Sequence, residues 1–190
     1  MKILNTAIIK EGKNNENIKK WTKHKNRKKL SNRRNREFID ITPLIINKET
    51  LKEITTKFVK HIENKKIDYI VAPEARGFLF ASPVATALNI GLIPIRKKGK
   101  LPPSTVETSF EYQKEYGKDI LELPKLINET YKDKSFYIID DIYATGNTID
   151  AIKNAIKSLG GRVAGIGVVI NIKELNNNNE VFSLIDINEE

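Results

Sequence analysis

The chain has 190 residues, with 33 Lys and Arg against 24 Asp and Glu, no cysteine, and two histidines, His24 and His61. That composition excludes disulfides, a thiol nucleophile, a thiolate metal site and a multi-histidine zinc site, and the length suits one ordinary domain whose core needs no staples. No run approaches the roughly 18 apolar residues of a membrane span, and no apolar signal core opens the chain, so a soluble cytoplasmic protein without membrane contact is expected.

The excess charge sits at one end. Residues 1–40 carry 13 Lys and Arg against 4 Asp and Glu, whereas residues 41–190 carry 20 of each sign. Residues 1–9 are mildly apolar. From Lys13 to Arg36 there are eleven Lys and Arg, six Asn, and only Ile18, Trp21 and Leu30 as apolar anchors. Such a stretch cannot bury enough apolar surface to offset its ordering entropy. Residues 1–36 are therefore expected to be a mobile basic extension, and residues 37–190 the folded domain. The charge could neutralise nucleic-acid phosphates, but no recognised nucleic-acid module accompanies it. A solvated extension is the preferred reading.

The globular pattern begins near Phe38. Phe38 to Pro43 reads as an extended piece ended by proline. Thr50 can cap a helix with Leu51, Ile54, Phe58 and Ile62 on one face. Asp68 to Ala72 reads as a short buried strand, Phe78 to Leu88 as a helix with Gly91 after its end, and Leu92 to Ile95 as a second strand. Lys97 to Gly117 shows no apolar period and reads as a long loop, of the kind that is usually functional. Ile120 to Leu123 and Phe136 to Asp140 read as strands. Thr148 to Leu159 reads as a helix stopped by Gly160-Gly161. Val163 to Ile172 is a strand, Asn176 to Asn179 a polar turn, and Val181 to Ile187 a last strand. Strands alternating with helices predict an α/β fold with a parallel sheet covered on both faces.

The densest chemical signal is Tyr137-Ile138-Ile139-Asp140-Asp141-Ile142-Tyr143-Ala144-Thr145-Gly146-Asn147-Thr148. An apolar strand ends in paired carboxylates, and a short loop of small and hydroxyl residues opens a helix. Loops at the carboxyl ends of parallel strands are where such folds bind ligands. A helix N-terminus offers unpaired N–H groups and a positive dipole end, which suit a phosphate. Adjacent carboxylates can accept hydrogen bonds from a sugar diol. Phosphate plus diol describes a ribose 5-phosphate. A Walker loop is excluded, because no Gly-Lys-Ser/Thr stands at the required spacing.

This string resembles the motif with which type I phosphoribosyltransferases bind 5-phosphoribosyl 1-pyrophosphate (PRPP). Glu74-Ala75-Arg76-Gly77-Phe78-Leu79-Phe80, Ile95-Arg96-Lys97-Lys98-Gly99-Lys100-Leu101-Pro102 and Glu115-Tyr116-Gly117 narrow the resemblance to the adenine phosphoribosyltransferases. It runs from about Phe38 to Glu174 in the family's order.

The resemblance implies a type I phosphoribosyltransferase sheet with a small N-terminal hood and a flexible active-site loop. It implies transfer of the phosphoribosyl group from PRPP to adenine, giving AMP and pyrophosphate. Asp140 and Asp141 would hold the ribose hydroxyls, and Ala144, Thr145, Gly146, Asn147 and Thr148 the 5-phosphate. Glu74, Ala75, Arg76, Arg96, Lys97 and Lys100 would form the pyrophosphate segment, in part across a homodimer interface. Glu115 would be the acid/base on a closing loop, with Tyr116 beside it. Phe38, Ile39 and Ile142 would enclose adenine, with main-chain groups of Glu37 and Ile39 reading its edge. Mg²⁺ would come with PRPP, whose own oxygens ligate it, with no ligand directly from the protein.

Two features depart from the family pattern. Ser31-Asn32-Arg33-Arg34-Asn35 stands where the family has a Pro-x-x-Gly turn, and Ile39 where it has an arginine. Two alternatives stay open: transfer to hypoxanthine or guanine, and a PRPP-sensing regulator that binds nucleic acid through residues 1–36. A Glu115-Tyr116-Gly117 lid favours catalysis, since a sensor needs no general acid.

Overall fold

Side chains alternate along the strand Ser135–Tyr143 (β5), and the fold is packed on the two faces this creates. The computed structural model describes residues 39–114, 117–176 and 178–187. In chain order the other elements are α1 (Thr42–Ile46), α2 (Lys48–Ile62), β1 (Tyr69–Pro73), α3 (Arg76–Leu88), β2 (Gly91–Lys97), β3 (Val106–Lys114), β4 (Gly117–Pro124), α4 (Asn147–Ser158), β6 (Arg162–Ile172) and β7 (Val181–Ile187). Tyr137 and Ile139 of β5 share a core with Leu44, Ile54, Phe58 and Phe80 from α1, α2 and α3. Phe136 and Ile138 face the other way, onto Ile149, Ile152 and Ile156 of α4 and onto Leu121 and Leu123 of β4.

The seven strands lie in the order β3-β4-β2-β1-β5-β6-β7. The run from β2 to β7 is parallel, as the alternation of strands and helices predicts. The β2 edge differs. Residues 97–117, expected to be a long loop, contain β3, which pairs antiparallel with β4, and β4 pairs antiparallel with β2. Val106, Thr108, Phe110 and Tyr112 are at least partly buried, while Glu107, Ser109, Glu111 and Gln113 are exposed. The period of two is present, but the charged outward residues hide it.

Two helix starts also differ from expectation. The Phe38–Pro43 stretch does not stay extended, because α1 begins at Thr42 and holds Pro43 in its first turn, where a missing N–H costs nothing. Asp40 Oδ1 accepts from Thr42 N at 2.9 Å, and the hydrogen bonds from Thr42 hold the Asp40 carboxyl below its ordinary pKa. Helix α2 is capped by Asn47 and not by Thr50: Asn47 Oδ1 accepts from Thr50 N at 2.9 Å. Helix α3 ends on Asn89 in the left-handed conformation, so Gly91 is free to open β2. Among the described residues no helix is long and apolar enough to cross a membrane. The expected boundary between residues 36 and 37 lies outside the described residues.

Candidate active site

Strand β5 continues through Asp140, Asp141, Ile142 and Tyr143, so only Ala144, Thr145 and Gly146 separate it from α4. Both aspartates are buried, at 9% and 5% exposure, and not solvated as a bare Asp-Asp pair would be. Asp140 Oδ1 accepts from Asp141 N at 2.8 Å. Burial first, and then the neighbouring Asp141 carboxylate, push the Asp140 carboxyl well above its ordinary pKa. Gly77, in the first turn of α3, is what lets that turn approach: a Cβ there would stand 3.0 Å from Asp140 Oδ1 and 3.1 Å from Ile139 O.

The loop after β5 presents donors. Gly146 sits at φ 84° before the first turn of α4, with no side chain capping the helix. A Cβ at Gly146 would collide with the Tyr143 hydroxyl. Among the described residues, the N–H groups of Thr145, Gly146, Asn147 and Thr148 donate to no other group. Thr145 and Asn147 are exposed, and Thr148 is partly buried. Unpaired N–H groups at a helix start, with hydroxyls beside them, form a cradle suited to an anion.

The turn between β1 and α3 meets the aspartates from the side. Arg76 Nε lies 2.7 Å from Asp141 Oδ2, a contact ion pair without the alignment of a hydrogen bond. Arg76 Nη1 also reaches Ile39 O at 3.5 Å. Arg76 therefore touches both the carboxylate pair and the backbone expected to read the base. The Glu74–Ala75 peptide bond is cis.

Glu74 holds cations in place. Its Oε2 accepts from Arg96 Nε at 2.9 Å and from Lys97 N at 3.0 Å. The Arg96 hydrogen bond is the main cause that lowers the Glu74 pKa below its ordinary value. Arg96 Cζ also sits 6.0 Å from the centre of the Phe78 ring. The basic turn that follows β2 is braced by Glu122, a buried residue whose Oε2 accepts from Gly99 N at 3.1 Å.

Direct contacts thus join Arg76, Asp140, Asp141 and the Ile39 carbonyl in one group, and Glu74, Arg96 and Lys97 in a second. The Lys100 side chain is exposed, and only its backbone is fixed, by donation to Lys97 O at 3.0 Å. Ile39 and Ile142 pack, partly buried, on the same core. Phe38, Glu115 and Tyr116 lie outside the described residues. Sequence reasoning missed Glu122, and it missed Asn176 and Asn178, which contact Ala144 O and the Tyr143 hydroxyl. The run of asparagines signalled a turn but not its target.

Comparisons with known proteins identify the family. The family described as phosphoribosyl transferase domain matches residues 42–187. A protein of Clostridium beijerinckii named adenine phosphoribosyltransferase is 47% identical over 138 residues, covering 73% of this chain and 78% of its own length. One of the same name from Methanococcus maripaludis is 42% identical over 138 residues, with the same two coverages. The crystal structure of adenine phosphoribosyltransferase from Thermoanaerobacter pseudethanolicus superposes with a TM-score of 0.73 at 38% identity, covering 80% of this chain and 89% of its own. That of the Saccharomyces cerevisiae enzyme, complexed with an imino-altritol bisphosphate and adenine, gives 0.69 at 35% identity, covering 77% and 86%. With its match across most of the described residues, the chain belongs to the phosphoribosyl transferase domain family.

Proposed function

We propose that this protein is an adenine phosphoribosyltransferase of purine salvage, which joins adenine to PRPP and releases AMP and pyrophosphate. The observation that carries the reading is the direct succession of a buried carboxylate pair and a cradle of unpaired N–H groups at the start of α4. Asp140 and Asp141 accept from the ribose hydroxyls, and Ala144 to Thr148 receive the 5-phosphate. Arg76, Arg96 and Lys97, with Lys100 from the neighbouring turn, receive pyrophosphate, and Glu74 keeps Arg96 in position.

A base nitrogen attacks the anomeric carbon as the bond to pyrophosphate breaks, so positive charge develops on the sugar and water must be excluded. Glu115 is assigned the acid/base role on the base, and Tyr116 the closing of the site; both stand between the last paired residues of β3 and β4. Phe38 and Ile142 enclose the base, and backbone groups at Ile39 read its edge.

The donor set bears on the metal. Two adjacent aspartates, one of them against Arg76, suit hydroxyl recognition, and no group of three or more His, Asp or Glu able to hold an ion is found among the described residues. Mg²⁺ would be ligated mainly by PRPP's own oxygens, and when bound it would neutralise charge on the leaving pyrophosphate. A homodimer in the cytoplasm, and a basic extension over residues 1–36 separate from the catalytic domain, complete the reading.

The test is absorbance on mixing the protein, Mg²⁺ and PRPP with adenine, hypoxanthine or guanine in turn. Turnover with adenine alone is expected. Turnover with the 6-oxopurines would trace to the segment holding Ile39, and PRPP binding without turnover would favour a sensor. Deleting residues 1–30 should leave adenine transfer within about twofold, since the charge imbalance ends before Ile41. It should also remove any salt-dependent nucleic-acid affinity. A truncated protein that folds but is inactive would place those residues in the site.

A further inference from the structure

A layer of asparagines stands behind the loop that follows β5. Asn176 turns its amide nitrogen onto Ala144 O at 2.9 Å, Ile172 O at 2.9 Å and Asn171 Oδ1 at 3.0 Å. Two of these are main-chain carbonyls, which only accept, so the NH₂ end of the amide has to face them. The oxygen end does a different job: Asn176 Oδ1 accepts from Asn178 N at 3.2 Å, and Asn178 Oδ1 from Glu180 N at 2.9 Å. Each oxygen closes the turn, and each nitrogen reaches back to the loop. Asn178 Nδ2 donates to the Tyr143 hydroxyl at 3.1 Å, and Tyr143 fills the space that a side chain at position 146 would need.

The contact with Ala144 carries the consequence. A trans peptide group is planar, with its C=O and N–H pointing opposite ways. Holding Ala144 O against Asn176 therefore aims Thr145 N–H away from the asparagine turn. That N–H has no acceptor among the described residues.

We infer that Asn176 is a positioning residue for the 5-phosphate: it sets the Ala144–Thr145 peptide so that the loop's N–H groups converge before the ligand arrives. Asn178, acting through Tyr143, fixes the Gly146 turn in the same way. The inference rests on the reading that residues 144–148 hold the 5-phosphate. It also explains the residue type. Only an amide supplies both the donor to Ala144 O and the acceptor for Asn178 N; an aspartate would keep the acceptor and set a carboxylate against a carbonyl.

Calorimetry of AMP and adenosine binding separates the phosphate from the rest of the ligand. In full-length Asn176→Ala, the ratio of AMP to adenosine affinity should fall about tenfold, the effect of one lost hydrogen bond on a preorganised site. Adenosine affinity should stay within about twofold. Asn176→Asp should lower the ratio further, and in kinetics the KM for PRPP should rise more than kcat falls. Asn178→Ala should lower the ratio about threefold, and it stands in if Asn176→Ala does not fold. Gly146→Ala tests the loop itself. If Gly146→Ala lowers the ratio but the Asn176 variants (or Asn178→Ala in their place) do not, the positioning inference fails. If none of them lowers it, the loop is not the phosphate site. Equal losses of AMP and adenosine in Asn176→Ala would mean a merely structural role and would also overturn the inference.

Discussion

The two sides of the proposed ribose site are built by different means. On the β5–α4 side, everything from Asp140 to Thr148 is consecutive in the chain, and the work falls to backbone N–H groups and a buried carboxylate pair. On the β1–α3 side, the cations are held by partners far apart in sequence. Arg96 and Glu74 are 22 residues apart, and Arg76 and Ile39 are 37 apart. A cradle of neutral donors needs only the right backbone path, which a short local string can encode. A guanidinium group on a long side chain needs a carboxylate to hold it, and the sheet must bring that carboxylate in.

The two sides also treat their carboxyls in opposite ways. Asp140 is raised by burial and by Asp141, whereas Glu74 is lowered by Arg96. One side keeps an acceptor, Asp140, whose ionised form lacks full compensation until a ligand arrives. The other is a completed ion pair that only orients a cation.

The comparison breaks most visibly at the aspartates. Asp140→Asn combined with Asp141→Asn removes both charges and keeps the side-chain shape. At about 1.5–3 kcal/mol for each charge-assisted hydrogen bond, kcat/KM should fall about 10²–10⁴-fold. Circular dichroism should show the same fold. A double variant that kept more than about a tenth of the activity would have lost under about 1.4 kcal/mol, and the diol assignment would then be wrong.

A backbone change on the same side should follow in size. Gly146→Ala forces a side chain into the left-handed region, at roughly 1–2 kcal/mol of strain, and also drives a methyl onto the Tyr143 hydroxyl. A urea melt should show that loss of stability, and AMP binding should weaken at least about tenfold as the N–H groups lose their common aim. Unchanged AMP affinity in a folded variant would mean that the path through residue 146 does not shape the cradle.

On the other side the effect should be smaller and confined. Glu74→Gln keeps an acceptor for Arg96 Nε but removes the charge. Pyrophosphate affinity should drop about three- to tenfold, in the range of one weakened charge-assisted hydrogen bond. AMP, which lacks the pyrophosphate, should bind within about twofold of wild type. An equal loss for both ligands would show that the two sides are not separable.

This division also accounts for what was legible in the sequence. The β5–α4 string could be read because strand, carboxylates, glycine and helix follow one another, each with its own local preference. Helices α2 and α4 were visible as apolar periods. The cap of α2 was misplaced at Thr50, because Asn47, the residue that caps it, is another cap former within the same turn. Strand β3 hid behind Glu107, Glu111 and Gln113 on its outward face. The pairing of the Glu74 side chain with Arg96 could not be read locally, because it depends on the β1–β2 register that sets Pro73 opposite Ile95. Asn176 reached the loop after β5 across 32 residues, a contact no local pattern announces. For Phe38, Glu115 and Tyr116 the assignments still rest on the resemblance and the proposal built on it.

The smallest expected effect is also the sharpest test of the contrast, because it predicts opposite signs. Glu74 has a lowered pKa in the folded state, so its contribution to stability is present above the ordinary glutamate value of about 4.3 and is lost as pH falls through the native value. Asp140 has a raised pKa, so the folded state binds its proton more tightly than the unfolded chain does. Stability from this group is therefore full below the ordinary aspartate value of about 3.9 and declines as pH rises from there to the native value. Urea melts of wild type, Glu74→Gln and Asp140→Asn between pH 3 and pH 8 should diverge accordingly. Relative to wild type, Glu74→Gln should lose ground as pH rises, whereas Asp140→Asn should gain it. If both variants drifted in the same direction, the carboxyls would share one electrostatic setting, and the distinction between an open acceptor pair and a completed ion pair would not hold.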